Sequence, residues 1–182
     1  MKRFMFVLAL LLVVGLSSAL AQSEAEALVT ATVESELVLV NVDGDWGLFS
    51  PGQTYTVTPS GFKEPPGPGE GAGIVVDAIG FEIDGNPGSD VLVSLILPGA
   101  FNSDDENGNL PLSNWTYGWN YDNDPGVAFS DAGPVTGSAV VVTIGGGAAS
   151  GLFLGATVTV PTTAFAGGYT AQIIGSAVYT GN

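Results

Sequence analysis

The sequence contains no cysteine and no histidine. Disulfide bonds, thiolate nucleophiles, Ser-His-Asp triads and ordinary zinc sites are therefore excluded. Basic residues are almost as scarce, because Lys2, Arg3 and Lys63 are the only three in 182 residues. Of the common catalytic arrangements, only a pair of carboxylates of the glycosidase kind remains chemically available. We therefore expect a protein that is not an enzyme.

The first 21 residues have the pattern of a cleaved secretory signal. Lys2 and Arg3 form a short positive segment, residues 4–16 are apolar and uncharged, and Ala19 and Ala21 have the spacing that signal peptidase recognises. The apolar run is too short to span a bilayer comfortably, and no later stretch reaches the length of a membrane helix. We expect an extracellular or cell-surface protein that begins at Gln22 after cleavage, with no membrane span.

Removal of this signal leaves a chain with charge of almost one sign. Residues 22–182 keep Lys63 against 18 carboxylates, a formal net charge of −17. Such a chain repels phosphate backbones and anionic lipid surfaces, so we expect neither nucleic acid nor membranes as partners. Its 161 residues are enough for one domain with a core of its own and no disulfides.

The pattern of residues predicts an all-β fold. The 27 glycines and 11 prolines separate short apolar segments, and none of these segments has a sustained helical period. Many short strands joined by such turns are typical of a mostly antiparallel β-sandwich. We predict strands at residues 28–33, 37–42, 53–58, 74–83, 90–97, 114–121, 138–144, 151–160 and 168–180. The predicted organisation is a signal (1–21), an N-terminal extension (22–36) and a sandwich domain (37–182).

Two segments do not have a strand pattern. The sequence KEPPGPGEGAG (63–73) is rich in proline and glycine, which predicts an extended, solvent-exposed loop with Lys63 in flexible surroundings. The sequence FNSDDENGN (101–109) predicts a polar, acidic loop.

Three segments resemble one bacterial secreted family. They are DWGLFSPGQTYTVTPSG (45–61), GFEIDGNPGSDVLVSLILPG (80–99) and LFLGATVTVPTTAFAGGYTAQIIGSAVYTGN (152–182). In this order they resemble the domain of unknown function 4402 family, whose ending is similar to spore-coat-U and archaic chaperone–usher pilin subunits. The resemblance implies an extracellular immunoglobulin-like β-sandwich and brings no catalytic residues with it.

The same resemblance implies a mode of assembly. Pilin subunits of the chaperone–usher kind end at a strand similar to residues 168–180, and the N-terminal extension of the next subunit supplies the strand that follows. In this chain small apolar residues occupy every second position of the extension, as a donated strand requires: Ala25, Ala27, Val29, Ala31 and Val33. We expect a homopolymer, a surface filament or pilus-like assembly of copies of this chain. The alternative is a monomer in which residues 28–33 pair with their own sheet.

A second pattern is the row of aromatic residues in NWTYGWNYDND. Trp115, Tyr117, Trp119 and Tyr121 occupy alternate positions, so their rings would project from one face of a strand. An exposed row of this kind stacks on sugars, which makes a secreted polysaccharide-binding or adhesin module the alternative function. The other interpretation, which we favour, is that the rings fill the sandwich core.

The acidic turns are candidates for calcium binding. Asp104 and Asp105 lie in SDDENGNL, and Asp122 and Asp124 lie in YDNDPG. Hard oxygen ligands on loops suit Ca²⁺, but the first segment has Asn114 where a calcium loop needs a bidentate glutamate. We favour solvated turns over a calcium site, and we expect no other cofactor.

Salt should stabilise this chain whichever interpretation holds, because screening weakens repulsion among the 18 carboxylates. We expect calcium and sodium at matched ionic strength to raise the melting temperature equally. The measurement is a thermal melt in each salt. A rise with millimolar calcium that matched sodium does not produce would identify a bound ion and contradict the prediction.

Overall fold

The computed structural model describes residues 36–105, 108–146 and 149–181. All regular secondary structure within these ranges is β-strand. The strands are β1 Val38–Val42, β2 Thr54–Val57, β3 Lys63–Glu64, β4 Ile79–Asp84, β5 Asp90–Ile96, β6 Ala100–Ser103, β7 Asn109–Asn120, β8 Asp131–Pro134, β9 Ala139–Thr143, β10 Ser150–Thr159, β11 Tyr169–Thr170 and β12 Ile174–Tyr179.

These strands form two antiparallel sheets. The larger sheet has the order β1-β4-β10-β7-β6-β11, with β2 pairing with β10, β3 with β2, and β8 with β7. The smaller sheet has the order β12-β5-β9. The prediction of an all-β, antiparallel, sandwich-like fold is confirmed, and the narrower immunoglobulin-like classification stays a prediction.

The two long central strands, β7 and β10, carry apolar side chains into both parts of the core. The first cluster lies between the two sheets and contains Phe81, Ile83, Val91, Val93, Leu95, Trp119, Val140, Val142, Ile144, Leu152 and Leu154. The second cluster lies on the continuation of the larger sheet and contains Trp46, Tyr55, Val57, Leu110, Leu112, Ala156, Val158 and Val160. Irregular segments, and not the smaller sheet, supply much of the cover for the second cluster: Phe49 and Ala164 pack against it.

Five predicted strands, those at 37–42, 53–58, 90–97, 138–144 and 151–160, coincide with observed strands to within two residues at each end. The single strand predicted at 168–180 is wrong. Tyr169–Thr170 pairs with β6 of the larger sheet, whereas Ile174–Tyr179 pairs with β5 of the smaller sheet. The chain therefore crosses from one sheet to the other at residues 171–173. The alternating pattern does not reveal this crossing. Tyr169 before it and Ile173 at its end are both odd-numbered, and both pack towards the core.

Other predicted boundaries also need correction. The strand predicted at 74–83 is observed as Ile79–Asp84, and the strand predicted at 114–121 begins at Asn109. The acidic segment 101–109 was predicted to be a loop, but its ends belong to β6 and β7, which pair as a hairpin. The Asp/Asn-rich turn is thus shorter than the polar run, because strand pairing continues through polar residues such as Asn102 and Asn109.

The aromatic row of β7 lies on the core side of the larger sheet. Trp119 is 2% exposed, and its indole N–H donates a hydrogen bond to the Thr143 carbonyl at 3.2 Å. Trp115 and Tyr117 pack against the same cluster, while Tyr121, just beyond the strand, is exposed. A sugar-stacking platform needs rings that are open on one side, and Tyr121 alone in this row is exposed in that way.

We predict that Trp119→Ala lowers the free energy of unfolding by about 3–5 kcal/mol, because it leaves a large cavity between the sheets. The matched control is Tyr121→Ala, two residues away at an exposed ring, which should cost about 1 kcal/mol or less. Urea denaturation of both variants measures the difference. Equal, small losses would contradict the placement of Trp119 in the core.

Candidate functional site: a groove between two open sheet edges

Each sheet ends in a strand with one unpaired edge on the same side of the molecule. These strands are β1 in the larger sheet and β12 in the smaller sheet, and in the described ranges no strand pairs with their outer edges. At one end the two edges meet, because Leu37 and Tyr179 both lie against Gly85. The Tyr179 hydroxyl there accepts a hydrogen bond from the Asn86 amide at 2.8 Å. This corner of the sandwich is closed.

A groove of about 1100 Å³ begins towards the opposite end of β1 and β12. One wall is formed by the last two residues of β1 and the segment that follows it (residues 41–49 and 51), and the other by residues 164–173, which precede β12. Its floor is apolar and comes from both core clusters: Trp46, Phe81, Phe101, Leu110 and Val160. The groove is therefore a place where the core reaches the surface between two lengths of chain.

The charged groups that line the groove are carboxylates. Asp43, Asp45 and Asp104 line it and are exposed, and its described lining contains no basic side chain. An occupant with carboxylates pointing into the groove would be repelled, whereas an uncharged, apolar face would meet an apolar floor.

Lys63 fixes the first wall. Its side chain is fully buried, and its ammonium group donates to the backbone carbonyls of Trp46 and Leu48, each at 3.0 Å. It also contacts both carboxylate oxygens of Glu70, at 2.9 and 2.7 Å. Three donors meet these acceptors, so the hydrogen-bonding capacity of the ammonium is used fully within the protein. The wall is therefore tied to the interior at the carbonyls of two alternate residues.

Glu70 completes this arrangement from the other side. Its oxygens accept hydrogen bonds from the amides of Leu48 and Gly67, at 3.3 and 2.6 Å. Burial on its own raises the pKa of the Glu70 carboxyl, but the hydrogen bonds from Lys63, Gly67 and Leu48 and the charge of Lys63 outweigh this effect. The pKa is therefore lower than its usual value of 4.5, and Glu70 stays ionised beside the ammonium.

Aromatic rings surround the ion pair. The Lys63 ammonium lies 5.1 Å from the ring centre of Phe49 and 6.0 Å from that of Tyr55. Trp46, whose carbonyl Lys63 holds, packs its own ring against Phe101 and Trp115 at centroid separations of 5.6 and 6.2 Å. The Lys63–Glu70 ion pair, which holds the first wall, thus also positions Trp46, the tryptophan that forms part of the floor.

The prediction of a flexible, solvent-exposed Lys63 is wrong. Although the prolines and glycines of 63–73 do place most of that segment at the surface, Lys63 itself belongs to β3 and is covered completely. Glu70 is 7 residues away in the chain, but the two carbonyl partners are 15 and 17 residues away, beyond the reach of a local pattern. The available signal was its isolation as the one cation in residues 22–182, because a lone cation in an acidic chain has many possible partners and little reason to remain unpaired.

The second wall is attached to the larger sheet by a pair of short strands. Tyr169 pairs with Ser103 through β11 and β6, and the Asp104 amide donates to the Gly168 carbonyl at 3.0 Å. A Cβ on Gly168 would overlap the Asp104 carboxylate in its observed position, so a larger residue there would displace this exposed side chain. The Tyr169 hydroxyl then donates to the Phe165 carbonyl at 2.9 Å, which fixes the bend of the wall.

Among the other predicted site residues that the structure describes, Asp104 lines the groove and the rest do not. The donor residues Ala25, Ala27, Val29, Ala31 and Val33 lie outside the described residues. Asp104 and Asp105 precede the 12-residue strand β7, and Asp122 and Asp124 follow it, so the two pairs are separated by about 36 Å of extended chain. Within the described ranges, no three acidic side chains come together as a metal-binding group. Asp124 instead caps a turn by accepting the Gly126 amide at 2.8 Å.

We predict that Glu70→Gln lowers the free energy of unfolding by about 3–5 kcal/mol at neutral pH, because it leaves the buried Lys63 ammonium without its counter-charge. The matched control is Glu64→Gln. Glu64 is an exposed glutamate on the same short strand as Lys63, and this change should alter the free energy of unfolding by about 0.5 kcal/mol or less. Urea denaturation measures both. Similar values for the two variants would contradict the role of Glu70 as the counter-charge of the buried Lys63.

The same pair predicts a dependence on pH. Because the pKa of Glu70 is lower in the folded chain than its usual 4.5, its ionised form contributes stability above that pH. The contribution is lost as the pH falls through the lower folded value. The stability difference between wild type and Glu70→Gln should therefore shrink as the pH is lowered below 4.5, as measured by denaturation at a series of pH values. A difference that stays constant would mean that Glu70 does not titrate as described.

Comparison with known proteins leaves the function to be inferred from this geometry. No family model, no curated protein and no solved structure matches the chain. Within the described ranges, no helix is long and apolar enough to cross a membrane. The groove and its two fixed walls are the features of this fold from which we infer a function.

Proposed function

We propose that this protein is a non-enzymatic, extracellular structural protein, a subunit of a surface filament. In this proposal, residues 22–36 of one copy insert as a strand into the groove of the next copy. The observation that carries the proposal is the groove itself, with its apolar floor, just beyond the ends of the unpaired edges of β1 and β12. An added strand that pairs with an open edge and continues past its end would also cover the floor.

The dimensions of the extension suit this role. Fifteen extended residues reach about 50 Å at roughly 3.3 Å each, which is more than the ten residues of the second wall can span. The alternate residues Ala25 to Val33 would project side chains about 6.6 Å apart onto the floor. They are all alanine or valine, and side chains of this size suit a floor that is already formed by large rings such as Trp46, Phe81 and Phe101.

The position of the extension favours a neighbouring copy over the same copy. Residue 36 leads into β1 beside Leu37, at the closed corner near Tyr179. The groove lies beyond Val42, at the opposite end of β1. To enter its own groove the extension would have to turn back and run the full length of β1 first, whereas a neighbour's groove needs no reversal.

The floor also contains an unused hydrogen-bond donor. The Trp46 indole N–H is buried and has no hydrogen-bond partner among the described residues. Buried donors are normally paired, and each exception needs a physical reason. Because this nitrogen is buried even with the groove empty, a carbonyl of an inserted strand could accept its hydrogen bond only after a movement of the Trp46 ring.

We predict that Val29→Asp abolishes assembly. The change places a carboxylate against an apolar floor whose neighbouring charged groups are already negative, at a cost of several kcal/mol at every junction. The matched control is Thr30→Asp, which adds the same charge to the solvent side of the same strand. Size-exclusion chromatography and electron microscopy of the exported protein measure the length of the assemblies.

Two results would contradict the proposal. One is wild-type protein that stays monomeric at all concentrations, which would favour insertion of residues 28–33 into their own sheet. The other is equal loss of assembly in Val29→Asp and Thr30→Asp, which would show that added charge, and not the face of the strand, decides the outcome.

A further inference from the structure

The outer face of the smaller sheet is a second unusual surface. Its strands β12, β5 and β9 place aligned residues on the solvent side: Val178 pairs with Leu92, which pairs with Val141, and Ile174 pairs with Ile96. Val141, Val178 and Ile96 are 53, 57 and 67% exposed. Between these two apolar rows lies a row of small residues, Ser176, Ser94 and Ala139.

This face is almost free of charge. Asp90 is the one ionisable residue among the outward positions of the three strands, and it lies at the end of β5, where it accepts a hydrogen bond from the Thr143 hydroxyl at 2.6 Å. The rest of a chain with 18 carboxylates and one lysine beyond the signal carries negative charge widely. Two copies repel one another because of this charge, and the repulsion is weakest when they approach through this face, since the charges of each copy are then farthest from the contact and most screened by salt.

We propose that the outer face of the smaller sheet packs against the same face of a second copy of this chain. The contact is a two-fold, face-to-face packing of sheets, with the axis in the plane of the contact and passing near Ser94 on the central strand. Sheets that pack in this way lie about 10 Å apart. The small residues of the middle row leave space at the centre, and the apolar rows on either side meet across the axis.

The size of the face determines the strength of the contact. Three strands extend about 10 Å across, and the rows cover about 15–20 Å along the strands. This is less than the roughly 800 Å² per partner that a stable complex buries. We therefore expect a weak contact between single copies that becomes strong when many copies are aligned, as in two filaments lying side by side. This last point alone rests on the filament proposal.

The absence of cysteine makes the contact testable by a single substitution. Ser94→Cys places one thiol near the proposed axis, and Ser113→Cys places one at an exposed serine on a strand of the larger sheet. Facing backbones about 10 Å apart are too distant for a direct disulfide, so the thiols are joined with a bis-maleimide cross-linker whose span is about 10 Å. In concentrated exported protein we expect cross-linked dimers from Ser94→Cys and at least about tenfold fewer from Ser113→Cys. Equal yields from the two variants, or no dimer from Ser94→Cys, would overturn the proposal.

A second substitution separates this face from general electrostatics. Val141→Lys in the Ser94→Cys chain reduces the net negative charge, so electrostatics alone would increase cross-linking, whereas a lysine inside the packed face should decrease it at least about tenfold. Val75→Lys, at a residue that is 67% exposed elsewhere, is the control and should not decrease it. If both lysines act alike, the face is not the contact.

The two proposals fail separately. Val29→Asp prevents insertion of the donor strand and leaves the sheet face unchanged. Ser94→Cys dimers should therefore persist in the Val29→Asp chain even where filaments are lost. Loss of dimers in that chain would show that the face does not associate on its own and would overturn the contact proposed here. Loss of filaments with dimers retained would leave it standing.

Discussion

The groove exists in its observed form because one ammonium group holds one of its walls. Lys63 binds the carbonyls of Trp46 and Leu48 and the carboxylate of Glu70, and it ties residues 46–48 to the interior together with the hydrogen bond from the Leu48 amide to Glu70 and the packing of the Trp46 ring. A buried ion pair adds little net stability compared with apolar residues of the same volume, but removal of one partner is costly. The pair therefore acts mainly on conformation. It fixes the wall, and through Trp46 it fixes the rings beneath the groove.

This constraint explains why the core is unequally covered. The smaller sheet has three strands and covers the first cluster, whereas the second cluster is covered by the two walls. Walls made of irregular chain leave backbone groups and apolar floor accessible between them. A fourth strand beside β12 would complete the smaller sheet, satisfy its open edge and cover this floor together. The extension that precedes β1 has the alternation for that role, and its attachment point lies at the end of β1 farthest from the groove.

The sequence was most informative where a residue's environment depends on its neighbours in the chain. Alternation predicted the β class and the central strands, since β7 and β10 place every second side chain in the core. It could not show that residues 169–170 and 174–179 belong to different sheets, because the pattern continues across the change of sheet. Nor could it find the groove, whose walls come from segments more than 100 residues apart. The burial of Lys63 was missed for the same reason, because a loop rich in proline and glycine gives no sign of the carbonyls that fold over its first residue.

The most direct measurement of the central claim is the binding of a synthetic peptide of residues 22–36 to the chain of residues 37–182, which retains both core clusters. If the groove accepts this segment, the peptide stabilises the folded chain by mass action, and the melting temperature rises with peptide concentration. The same peptide with Val29→Asp should have no effect, whereas the peptide with Thr30→Asp should act like the original. A chain of residues 37–182 whose melting temperature does not respond to any of the three peptides would contradict the account.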